Sequence, residues 1–114
     1  MQIELTEDKL IIKLSFAETL IAFKRRLEIP ISSITDIKPY KESGIEYPAK
    51  LVGSSIGNTK YGIFETSEGK AFMATEDINN ATVLFLKDFG YKLVILDLDE
   101  NTVQELKERI SNQK

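Results

Sequence analysis

The sequence predicts a mainly β fold closed by one C-terminal helix. Three observations carry this. Apolar and polar residues alternate with period two over several short segments, glycine-containing turns separate those segments, and the last stretch carries an apolar stripe at helical spacing.

The elements follow in order. Ile3 and Leu5 alternate with Gln2 and Glu4. Thr6-Glu7-Asp8 interrupts, and Leu10, Ile12 and Leu14 then alternate with Lys9 and Lys13. One face buried and one wet reads as two strands joined by a tight turn, with Ile11 partly covered on the second face. Ser15-Phe16-Ala17-Glu18 has the Ser-x-x-Glu spacing of a capping box, and Phe16, Leu20 and Phe23 fall near helical spacing, so a short helix is expected over about residues 16–24. A continued strand is the competing reading. Leu27, Ile29 and Ile31 resume the alternation, with Pro30 expected on an edge or at a ladder gap because it lacks an N–H. Ile34 and Ile37 continue the apolar signal at a spacing of three. That spacing predicts a bend or bulge at Ser32-Ser33, then a strand to Tyr40.

Residues 41–60 show no clear period. With Gly44, Pro48, Gly53, Gly57 and Asn58 they read as a long loop, with at most a short strand at Leu51-Val52. Tyr61–Glu65 and Lys70–Ala74 flank Thr66-Ser67-Glu68-Gly69 as a hairpin whose Gly69 supplies a positive φ. Thr82–Leu86 is a continuous apolar strand expected to be buried on both faces. Asp88-Phe89-Gly90 turns the chain into a strand over Tyr91–Leu96. Asp99 or Asn101 then caps the final helix, whose Val103, Leu106 and Ile110 form one stripe opposite a Glu105–Arg109 pair. The sum is about seven strands, an inserted helix and a terminal helix, which is α+β or a small barrel rather than a doubly wound sheet: a partly open barrel, or two orthogonal sheets, closed over by the terminal helix.

At 114 residues the chain is expected to be a single domain, residues 1–114, burying roughly two-thirds of its unfolded surface in one core. Hydrophobic residues make up 42% and charged residues 29%, which is globular rather than disordered composition. The net charge of −3 is spread without blocks, so no nucleic-acid partner is expected. There are no cysteines and no histidines. Disulfides, thiolate metal sites, thiol nucleophiles and the commonest general base are thereby excluded, and the expectation is a protein that is not an enzyme and needs no cofactor. The polar, acidic first residues do not form a signal peptide, and no apolar run approaches the roughly 20 residues of a membrane helix, which suggests a cytoplasmic protein.

Leu27-Glu28-Ile29-Pro30-Ile31-Ser32-Ser33-Ile34-Thr35-Asp36-Ile37 resembles a stretch of bacterial pleckstrin-homology-like domains. The Tyr61–Phe64 and Gly69–Phe72 segments are similar to the central hairpin of those domains, and Leu93 to Ile110 to their closing strand, turn and helix. The resemblance covers nearly the whole chain through core positions and turns. It implies a partly open, seven-stranded antiparallel barrel capped by the C-terminal helix, with no established ligand.

Lys24-Arg25-Arg26 is the one basic cluster and a candidate site for a phosphate or an anionic headgroup at a membrane surface; a solvated helix end explains the same residues. Tyr40, Tyr47 and Tyr61 are candidate aromatic anchors, against ordinary loop packing. Asp97, Asp99 and Glu100 have oxygen-ligand chemistry, but helix capping accounts for them. Gly53–Lys60 lacks the spacing of a phosphate loop, and nothing in its spacing selects a Ser–Lys dyad. Two functions are therefore expected from different classes. The first is a non-enzymatic module binding a protein partner or a second copy, by strand addition if an edge is left bare. The alternative is weak anionic-lipid binding through Lys24, Arg25 and Arg26.

Overall fold

A computed structural model describes residues 1–15, 26–46 and 49–113. The short helix expected over residues 16–24 lies outside them. Nine strands form two sheets among the described residues. β1 (Gln2–Leu5), β2 (Lys9–Lys13) and β3 (Arg26–Pro30) make an antiparallel sheet in that order. β4 (Ile34–Pro39), β5 (Ala49–Ile56), β6 (Thr59–Thr66), β7 (Gly69–Thr75), β8 (Thr82–Leu86) and β9 (Leu93–Leu96) make a six-stranded sheet ordered β4-β8-β9-β7-β6-β5. The helix α1 (Glu100–Asn112) closes the chain.

The mainly β class with a terminal helix holds. The expected count of about seven strands does not: nine are present among the described residues, residues 49–56 being a strand rather than loop, and the two sheets do not close into one barrel. The sheet is also not wholly antiparallel: β9 pairs antiparallel with β8 and parallel with β7. The chain leaves β7, skips one strand position to lay down β8, and turns back through Asp88 (φ 53) to fill the gap with β9. A strand paired on both sides and covered on both faces should be apolar at every position. Leu93, Val94, Ile95 and Leu96 are all buried. Both-face burial thus falls most fully on β9, whereas Thr82 and Phe85 of β8 are half-exposed.

Alternation sorts the six-stranded sheet into two cores. Phe72, Ala74, Leu84, Val94 and Leu96 face the three-stranded sheet, where they meet Leu10, Ile12, Leu27 and Ile29 together with Leu106 and Ile110 of α1. Phe64, Ala71, Met73, Val83, Leu93 and Ile95 face the other way and are covered by Ile45, Ile78 and Ala81 from the connecting turns. A bend does fall at Ser32-Ser33, but the spacing of Ile34 and Ile37 comes from a bulge just beyond it. A 3₁₀ turn at Ile31–Ser33 precedes β4, and the β4–β8 register slips between Ile34 and Asp36, so both isoleucines reach the core. Pro30 ends β3, an edge strand, as a residue without an N–H must. The hairpin turn of β6 and β7 has Gly69 at φ +124.

Asp99 is the helix N-cap, accepting the Thr102 N–H at 2.7 Å, so Asn101, the other expected cap, lies within the helix. Leu106 and Ile110 are buried, while Val103 stays half-exposed at the rim. Arg109 pairs with Glu105 at 3.8 Å and donates to the carbonyls of Thr6 and Glu7, tying the helix to the β1–β2 turn. The cap has a pH signature. The Thr102 hydrogen bond holds the Asp99 carboxyl below its ordinary value of 3.8. A folded-state pKa below the unfolded one stabilises the fold above the unfolded value and is lost as pH falls through the folded one. The stability gap between wild type and Asp99→Ala is therefore expected to be full at neutral pH and to close in acid, as read from urea midpoints along a pH series.

Candidate functional site

The open edges of the two sheets decide where this molecule can meet another. An edge strand presents unpaired N–H and C=O groups, and sheets blunt such edges with charge, proline, bulges or cover. β1 carries Glu4, which pairs with Lys13 at 3.2 Å. β3 carries Arg26, Glu28 and Pro30; Glu28 accepts from Arg26 Nε at 2.9 Å and from Lys9 Nζ at 3.3 Å. Lys9 and Arg26 together hold the Glu28 carboxyl below the ordinary carboxylate value, the Lys9 hydrogen bond contributing most. β4 carries Asp36, Lys38 and Pro39, and Asp36 occupies the Ile37 N–H at 2.8 Å. Its flank adjoins α1 across two shallow grooves of about 310 and 290 Å³, both lined by Thr35 and Ile110, with Asp36 and Lys107 at one and Ser32 and Lys87 at the other.

β5 is different. It is the outer strand of the six-stranded sheet, and its single charge is Lys50. Leu51, Val52 and Ile56 are 51%, 38% and 76% exposed, and these are the large apolar side chains left exposed among the described residues. Among the described residues the strand is held from its inner side alone, by β6. The two-residue Gly57-Asn58 loop joins them, with Gly57 at φ +57 in the first central position that a II′ turn requires. Gly53 faces Gly62, both at positive φ (+123 and +134), and a Cβ on either would lie about 2 Å from a backbone oxygen of the opposite strand. The register slips between Lys50 and Val52, so Leu51 is the extra residue of a bulge. This bulge and the facing glycines erase the alternation that would have marked a strand in the sequence. The overlooked signal is Gly57-Asn58 between Ile56 and Thr59, a two-residue hairpin pattern.

Of the described residues singled out in the sequence, Ser55 and Lys60 are brought together, and the others are not gathered into one site. Lys24, Arg25 and Tyr47 lie outside the described residues. Arg26 is half-exposed and engaged with Glu28. Tyr61 is buried and donates to Glu76 Oε1 at 2.9 Å, and Tyr40 donates to the Ile45 carbonyl at 3.1 Å, so both pack rather than project. Asp97 accepts from the Thr75 hydroxyl and from the Glu76 N–H at 2.9 Å, fastening the end of β9 to the end of β7. Lys60 Nζ donates to Ser55 Oγ and to the Gly57 carbonyl, each at 2.6 Å, and so clamps the β5–β6 turn.

Comparison of the chain with protein-family models, with curated proteins and with solved structures finds no match.

Proposed function

We propose that this protein is a non-enzymatic interaction module that binds a protein partner, or another copy of itself, by adding a strand to β5. One observation carries the reading: of the four sheet edges among the described residues, three bear paired charges or proline, while β5 offers Leu51, Val52 and Ile56 to solvent. In strand addition the main chain supplies affinity, and alternate side chains supply selectivity. Exposed apolar residues along an edge strand suit both tasks. Two sheets sharing one core with a helix at its rim also support a pleckstrin-homology-like, partly open barrel, with the parallel β7–β9 pair as a departure from that pattern. The functional reading rests on β5 and not on the fold.

The test is a photoreactive amino acid in place of Ile56 or, on the opposite edge, Thr35, in the cells that make the protein. A discrete protein adduct is expected from position 56 and not from position 35. No adduct at 56, or equal adducts at both, overturns the proposal.

A further inference from the structure

Building on the strand-addition reading, we infer that the strand received by β5 is β5 of a second copy, paired antiparallel about Ser54. The Gly57-Asn58 turn sets the phase of the ladder. Residues flanking a two-residue hairpin loop form a hydrogen-bonded pair, here Ile56 and Thr59, and bonded pairs alternate along an antiparallel ladder. Ser54 and Tyr61 are then the next bonded pair, and the N–H and C=O of Gly53 and Ser55 point away from β6.

A second β5 related by a twofold axis meets those outward groups in three registers, centred on residue 53, 54 or 55. Side chains select among them. Centring on Ser54 sets Val52 opposite Ile56 of the other copy, twice, and so pairs the exposed apolar residues with each other. Centring on 53 sets Val52 opposite Ser54, and centring on 55 sets Ile56 opposite Ser54.

Charge agrees. In the Ser54 register Lys50 of one copy reaches the Gly57-Asn58 tip of the other. That tip adjoins Glu76 and Asp77, because the Asn58 carbonyl accepts the Ile78 N–H and the Thr59 hydroxyl donates to the Glu76 carbonyl, both at 2.9 Å. Each copy's cation meets the other's carboxylates. The two Lys50 residues stand about 25 Å apart at a strand rise of about 3.3 Å per residue, beyond the roughly 8 Å screening length.

The chain has no cysteine, so Ser54→Cys places one thiol per copy at the axis. Facing Cβ atoms of a non-bonded antiparallel pair lie close to the separation a disulfide needs. Under mild oxidation, purified Ser54→Cys is expected to form covalent dimer at least about tenfold faster than Ser111→Cys on the exposed helix face, because pairing holds the thiols together. The mass of the wild type by light scattering should rise with concentration from 12.9 kDa towards twice that value, and Ile56→Lys should hold it at 12.9 kDa. Equal oxidation rates, or a wild type that stays at 12.9 kDa throughout, overturn the inference. If the wild type stays monomeric while position 56 still captures a different protein in cells, the second copy falls and the open-edge reading stands; if position 56 captures nothing, both fall.

Discussion

Gly62→Ala is expected to cost more than about 3 kcal/mol and to detach β5 from the sheet. Gly62 sits at φ +134, where a side chain is strained. An added Cβ would also lie 2.0 Å from the Val52 carbonyl oxygen and 2.8 Å from the Gly53 Cα. Neither neighbour is a flexible side chain, so the backbones must separate, and what separates is the β5–β6 pairing. Gly90→Ala provides the comparison: nothing lies within 4 Å of a Cβ built there, and a change within about 0.5 kcal/mol is expected. Urea unfolding of the two variants measures the difference. Equal midpoints would mean that the strands do not approach this closely.

Leu106→Ala is the second large effect. Leu106 is fully buried where α1 meets both sheets, and truncating such a leucine costs about 2–5 kcal/mol through lost burial and the cavity left behind. Val103→Ala, at the half-exposed rim of the same stripe, is expected to cost about 1 kcal/mol. The ratio tests whether α1 seals the core or only lies on it. Similar small losses for both variants would mean that the helix packs loosely.

These two sites show how the fold was written in the sequence. The helix was legible because the Leu106–Ile110 stripe and the Asp99 cap are local patterns. The β1–β2 and β6–β7 hairpins were legible for the same reason. Two features were not. The parallel placement of β9 depends on which gap the returning chain fills, and an apolar run such as Leu93–Leu96 announces burial without naming its neighbours. β5 was hidden because the bulge at Leu51 and the close approach at Gly53 break the two-residue period, leaving glycine and serine where a loop was the simpler reading. The candidate site went unseen with it. Sequence reasoning favoured charged and aromatic clusters, whereas an open edge is a property of strand order. Arg26 shows the converse: its charge was visible, but its partner Glu28, across the turn of the pleat, already occupies it.

Amide hydrogen exchange of the full chain at low and high protein concentration tests the central claim most directly. Protection within Ala49–Ile56 is expected to grow with concentration, while β1 and β4 exchange at unchanged rates. Exchange in β5 that is indifferent to concentration, or protection that grows at β4 instead, would contradict the account.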